Sequence, residues 1–235
     1  EMARVVRRAV EDARALEVGG MDAILVENYG DVPFTPGRVE AATVAAMTAV
    51  IIEVTKTISL PIGVNVLKND ARSGLAIAAA TGARFIRVNI HVGAVVADQG
   101  LIQSDAYSTL RDRRLLGADV KIFADVQAKH GVPLAPVELE REAKDCVFRG
   151  LADVLIVSGK ATGEATPIED VKQVRSALPT VPLLVGSGVT PDSVADLLSV
   201  ADGVIIGTWI KRDGQLSNPV DAERARRLVE AARGR

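Results

Sequence analysis

The chain has 235 residues, of which 48% are hydrophobic and 25% charged, a balance that excludes a disordered or collagen-like polypeptide. Lys and Arg number 28 against 30 Asp and Glu, and this net charge of −2 with mixed signs provides no field that would steer the protein to nucleic acid. Aromatic residues are only 3%, so the core falls to Val, Ile, Leu and Ala, as parallel strands buried on both faces require.

Short apolar, β-branched runs alternate with amphipathic segments along the whole chain, the pattern of successive βα units. The first helix is predicted over Met2 to Leu16, where Val5, Val6, Ala9, Val10, Ala13 and Leu16 recur at helical spacing and Gly19-Gly20 ends the run. Seven strands follow at Ala23–Glu27, Ile62–Leu67, Phe85–Ile90, Val120–Asp125, Val154–Val157, Leu183–Val185 and Val204–Ile206. Helices are predicted between and after them, at Arg38–Ile58, Ala71–Thr81, Ser104–Leu116, Pro136–Gly150, Pro167–Leu178, Pro191–Leu198 and Asp221–Ala232. Eight helices against seven strands predict a single α/β domain over 1–235. Its expected architecture is a (β/α)₈ TIM barrel, with the first strand in about 15–30 residues that precede the first helix. An open doubly wound sheet is the alternative.

No apolar run approaches the roughly 20 residues of a membrane span, and no secretory signal is visible. Cys146 is the single cysteine and reads as a buried helix-face thiol; a cytoplasmic location is expected. Pairing of copies stays open.

In such barrels chemistry sits at the carboxyl ends of the strands. The polar residues there are Glu27 and Asn28, Asn65, the alternating Arg87, Asn89 and His91, and Asp125 with Lys121 and Phe123 on its face. Period-2 alternation turns Arg87, Asn89 and His91 inward and Val88 and Ile90 towards the helices. Arg87 and Lys121 also have a bland reading as ion-pair partners of Glu27 or Asp125, and Asn65 and Asn89 as bracing. His91 is favoured over His130 as a functional histidine because it closes a strand. Lys160, in the glycine-flanked loop Ser158–Gly163, reads either as a solvated side chain or as a ligand for an anion. The segment Val92–Gln103, with Gly93 and Gly100, reads as a lid loop.

The sharpest constellation is Gly186-Ser187-Gly188 at one strand end and Gly207-Thr208 at the next, with Ser158 on the strand before. Glycines let main-chain N–H groups approach a phosphate, and many barrels hold phosphate at these two positions. No Walker or GxGxxG sequence competes, and no cofactor is evident. Two histidines without an HxH or HExxH pattern argue against zinc, while Mg²⁺ on Glu27, Asp31 or Asp125 stays open.

Taken together, Gly20-Met21-Asp22-Ala23-Ile24-Leu25-Val26-Glu27-Asn28-Tyr29-Gly30-Asp31-Val32-Pro33-Phe34, Phe85–Asn89 with His91, Gly117–Val126, Asp153–Gly159, and Lys211–Gly214 with Asn218–Asp221 resemble the BtpA family, which includes the SgcQ-type proteins. The resemblance covers essentially the whole chain. It implies a barrel like those of phosphate-binding (β/α)₈ enzymes and a preceding strand carrying a His and a Pro-Leu-Pro-Gly-like loop. The family takes its name from a photosystem I factor, which keeps a non-catalytic assembly role open. The first expectation is nonetheless an enzyme of general acid/base chemistry on a small phosphorylated metabolite, a sugar phosphate or nucleotide-derived compound. A third is a metal-assisted nucleotide phosphohydrolase.

Overall fold

A computed structural model of the chain describes residues 1–159 and 161–234. In chain order the elements are α1 (Met2–Val18), β1 (Ile24–Glu27), α2 (Ala41–Thr55), β2 (Ile62–Asn65), α3 (Ala71–Thr81), β3 (Phe85–Val88), β4 (Ala94–Ala97), β5 (Gly100–Gln103) and α4 (Ala106–Leu115). They continue with β6 (Lys121–Val126), β7 (Gly131–Pro133), α5 (Leu139–Phe148), β8 (Val154–Val157), α6 (Ile168–Ala177), β9 (Leu183–Val185), α7 (Val194–Leu198), β10 (Gly203–Val204) and α8 (Ala222–Ala232). Several helices start on an aspartate whose side chain accepts from main-chain N–H groups of the first turn: Asp70 for α3, Asp105 for α4 and Asp221 for α8. Gly82 closes α3 in the left-handed conformation at φ 75°.

Seven strands form one parallel sheet in the order β1-β2-β3-β6-β8-β9-β10. The helix layer closes on itself, because α8 packs on α1 and α1 on α2. The ends of the sheet are thereby brought round towards each other, although β10 and β1 are not paired among the described residues. This is the (β/α)₈ barrel arrangement, with eight α-helices among the described residues outside a curled parallel sheet. The open doubly wound alternative does not describe it.

Alternation along each strand separates two environments. Ile86, Val88, Ile122, Ala124 and Leu155 are at most 3% exposed and join the helix-facing core; burial of each Ile, Val or Leu among them stabilises by roughly 1.5–3 kcal/mol. Ile86 lies against Gly74 of α3. On the opposite face Phe85 and Phe123 stack with centroids 4.3 Å apart, and Gly63 of β2 leaves the space that the Phe85 ring occupies. Cys146 is fully buried in the core, and burial pushes its thiol pKa up, as expected of an inert structural cysteine.

Two aspartates tie the bases of neighbouring units together. Asp153 accepts from the Ile122 N–H and from Arg113, while Asp202 accepts from the Leu183 N–H and from Arg175.

The segment expected as a lid loop, Val92–Gln103, is instead an antiparallel hairpin. β4 pairs with β5 on one side and with β7 on the other, and Val95 and Ile102 bury against Ile90 and Ala128. Strands of three or four residues, with β7 paired to β4 from 34 to 38 positions away, left little local signal for this second sheet.

Candidate functional site

A polar layer lies directly beyond the stacked phenylalanines. Arg87 of β3 makes a two-pronged contact with Asp125 of β6, Nε to Oδ1 at 2.9 Å and Nη2 to Oδ2 at 3.0 Å. Its Nη1 donates to Glu27 Oε1 at 3.2 Å. Because β2 lies between β1 and β3, that contact spans two strand spacings, and only the concave face of a curled sheet allows it. Asn65 of β2 fills the gap and donates to the same Glu27 oxygen at 3.1 Å; Asn89 donates to Asp125 Oδ2 at 2.8 Å. Burial disfavours the Arg87 charge, but Asp125 and Glu27 outweigh it and hold the guanidinium pKa above the ordinary arginine value.

Glu27, Asn65, Arg87, Asn89 and Asp125 are therefore one hydrogen-bonded unit. Three valences stay unused. The buried Oδ1 atoms of Asn65 and Asn89 accept nothing among the described residues, and Glu27 Oε2 is likewise without a donor there.

His91 does not join this layer. It is 1% exposed, and its Nε2 lies 2.8 Å from the Gly150 carbonyl oxygen beyond α5. The carbonyl oxygen can only accept, so Nε2 carries the hydrogen and donates, and burial lowers the imidazole pKa. The expected alternation fails because the Asn69 side chain brackets Ile90. Asn69 Nδ2 donates to the Ile90 carbonyl at 2.9 Å, and the Ile90 N–H donates to Asn69 Oδ1 at 2.8 Å. Ile90 thereby packs under the small antiparallel sheet. Asn28 holds Leu67 in the same manner, accepting its N–H at 2.7 Å.

Lys121, expected on the inner face, is exposed and pairs with Asp119. His130, the less favoured histidine, lines an open cleft of about 420 Å³ with Phe34, Lys68, Asp98 and Gln99. Its Nε2 lies 3.0 Å from Thr162 Oγ1 and accepts the Thr162 N–H at 3.3 Å; desolvation, with Lys68 and Lys129 nearby, lowers its pKa.

Two lysines that the sequence did not single out stand over the polar layer. Lys68 is 6% exposed, and its Nζ donates to the Lys129 carbonyl at 3.1 Å. Lys129 Nζ donates to the Gly186 carbonyl at 2.8 Å. Desolvation lowers both pKa values, that of Lys129 to about 8, with Arg87 adding repulsion. Lys129 sits in a Gln-Ala-Lys-His-Gly stretch that locally resembles any solvated loop. Besides Asp125, its setting is made by groups more than 40 positions away, Arg87, Lys68 and Gly186 among them.

At the ends of β9 and β10 the main chain turns without using its donors. Among the described residues the N–H groups of Ser187, Gly188, Gly207 and Thr208 donate to nothing. Gly186 is required because a Cβ would strike Ser158 Oγ, and Gly188 because φ is +66° and a Cβ would strike Ala165. Ser187 Oγ is committed locally: it donates to the Glu164 carbonyl at 2.7 Å and accepts the Gly159 N–H at 3.2 Å. Ser158 Oγ is buried without a partner among the described residues. Residues 161–166 run between the two turns, with Ala165 against Gly188 and Gly163 facing Thr208. Lys160, expected in this loop, lies outside the described residues.

A magnesium site on Glu27, Asp31 and Asp125 does not fit these positions. Both Asp125 oxygens are held by Arg87 and Asn89, and Asp31 is exposed and bonded to Asn28. Among the described residues no three His, Cys, Asp or Glu side chains cluster as metal ligands, and no helix is long and apolar enough to cross a membrane.

Residues 1–234 match the BtpA family. The chain belongs to this family. The photosystem I biogenesis protein BtpA of Synechocystis is 43% identical over 227 residues, covering 97% of this chain and 79% of that protein. The sgc region protein SgcQ of Escherichia coli is 34% identical over 227 residues, covering 96% and 84%. Among solved structures, orotidine 5'-phosphate decarboxylase from Pyrococcus horikoshii superimposes with a TM-score of 0.65 at 16% identity, covering 98% of this chain and 95% of that one. That likeness shows the barrel fold; the family match shows descent.

Proposed function

We propose that this BtpA-family chain is an enzyme acting on a small phosphorylated metabolite by general acid/base chemistry. The observation that carries the reading is the pair of unused donor sets at adjacent strand ends, Ser187 and Gly188 on one and Gly207 and Thr208 on the other. Such turns suit a phosphate, because several main-chain N–H groups converge without a side chain between them and the ligand. The named substrate of the orotidine 5'-phosphate neighbour carries a phosphate, in keeping with this reading. Ser158 Oγ is a further candidate beside Gly186, and Lys160 is one by its place in the sequence alone.

The rest of the substrate would reach the polar layer. Unpaired buried acceptors are costly, and donors from a substrate hydroxyl or amine would satisfy Asn65 and Asn89. Glu27 is the better acid/base candidate, since among the described residues only its Oε1 is engaged, whereas both Asp125 oxygens are held. Arg87 then fixes both carboxylates and offers a positive charge to any developing anion. His91, turned to Gly150, holds the scaffold and lies outside the reacting region.

A second reading follows from the name of the Synechocystis relative: a non-catalytic role in biogenesis of a larger assembly. A panel of phosphorylated metabolites in a thermal-shift assay separates the two. Gly207→Asp is the informative variant, because a Cβ there meets nothing within 4 Å and the change adds a negative charge at the phosphate position. Stabilisation of the intact protein that is lost in Gly207→Asp supports the enzyme reading. Absence of any stabilising compound, or stabilisation that survives the substitution, sinks it.

A further inference from the structure

We propose that Lys68 and Lys129 form a second anion subsite beside the phosphate turns, so that the ligand carries two anionic groups, a phosphate and either a carboxylate or a second phosphate. The inference rests on the phosphate reading above and extends it to a substrate class. Each ammonium has three donors, yet among the described residues Lys68 contacts one carbonyl and Lys129 one carbonyl. Neither has a carboxylate within ion-pair distance there. The carboxylates nearest in the layer below, Glu27 and Asp125, are already held by Arg87, Asn65 and Asn89. Lys68 is nonetheless as buried as a core residue, at 6% exposure.

A buried, unpaired charge is expensive in the free protein, and a bound anion removes that penalty. Position sets the order of the two subsites. Lys129 bonds to Gly186, the residue before the free N–H groups of Ser187 and Gly188, and Lys68 bonds to the main chain of Lys129. Lys68 lines an open cleft together with His130 and Asp98. A ligand whose phosphate sits in the glycine turns therefore has its second anion over Lys68, one lysine further along.

Calorimetric titration of the full chain tests this with glycerol 3-phosphate, 3-phosphoglycerate, fructose 1,6-bisphosphate and malonate, which distinguish one phosphate, phosphate plus carboxylate, two phosphates, and carboxylates alone. At least one doubly anionic phosphate compound is expected to bind about tenfold or more tightly than glycerol 3-phosphate. Lys68→Met should abolish that advantage, leave glycerol 3-phosphate within about threefold, and raise the unliganded melting midpoint by about 2 °C or more, since it removes an unpaired buried charge. Lys68→Arg, which keeps the charge, should retain the advantage and serves as the check if Lys68→Met folds poorly. Equal affinity for singly and doubly anionic compounds in the intact protein overturns the subsite while leaving the phosphate reading standing. So does an advantage that survives Lys68→Met. Malonate binding that depends on Lys68, with no phosphate compound bound, overturns the phosphate reading and keeps the lysine subsite. No binding by any of the four overturns both.

Discussion

Replacing Arg87 by Met removes the charge that holds the polar layer together. Asp125, 2% exposed, loses two hydrogen bonds of 2.9 and 3.0 Å and, among the described residues, keeps Asn89 alone; Glu27 loses its 3.2 Å contact and keeps Asn65. Breaking a buried ion pair from one side costs about 3–5 kcal/mol, because the remaining charge is uncompensated. For a chain of this size each kcal/mol moves the melting midpoint by roughly 2–4 °C, so a fall of about 6–20 °C is expected in differential scanning calorimetry. The double variant Arg87→Met/Asp125→Leu should recover most of the loss, since an apolar pair of similar volume is tolerated where a lone charge is not. The double-mutant cycle then gives a coupling of about 2 kcal/mol or more. A single variant that loses under about 1 kcal/mol, or a double variant that loses the sum of the singles, would refute the buried pair as the organiser of this layer.

His91→Phe should lower stability by about 1–3 kcal/mol, because the Gly150 carbonyl loses its buried donor, while leaving phosphate-ligand affinity intact; a large affinity loss at unchanged stability would return His91 to the site. In the native protein its pKa lies below 6.5. The unfolded chain therefore binds the proton first, and His91 contributes stability above pH 6.5 that fades as pH falls below it; His91→Phe should flatten that acid slope in urea titrations. Lys129 behaves in the same sense at alkaline pH. Its folded pKa of about 8 lies under the ordinary 10.5, so the unfolded chain holds more protons between those values and stability rises with pH across the window. The rise should be on the order of 3 kcal/mol. Comparing intact protein with Lys129→Met from pH 7.5 to 10.5 isolates the effect, and a slope of opposite sign in the difference would refute the buried ammonium.

The barrel was legible because each βα unit carries its own periodicity and stop signals, and the strand and helix count needs no long-range information. Glu27, Arg87 and Asp125 were legible for a related reason, since inward-facing polar residues on short parallel strands have few places to go. The failures share a cause. His91 follows a strand that ends at Val88, and what turns it outward is Asn69, 22 positions earlier in sequence and held to Ile90. The hairpin of β4 and β5 is completed by β7, whose three residues carry no strand pattern of their own. Lys68 and Lys129 are ordinary loop lysines until Gly186 and the polar layer close around them. In each case the deciding partner lies on another βα unit, where local spacing says nothing about it.

The central claim is that the turns after β9 and β10 hold a phosphate through their own main chain. Amide correlation spectroscopy of the ¹⁵N-labelled protein, titrated with inorganic phosphate and then with the best compound of the thermal-shift panel, addresses those donors directly. Saturable shifts concentrated on the N–H groups of Ser187, Gly188, Gly207 and Thr208 are expected, and their loss in Gly207→Asp. Phosphate that leaves these four resonances unmoved, or moves only residues elsewhere, contradicts the claim.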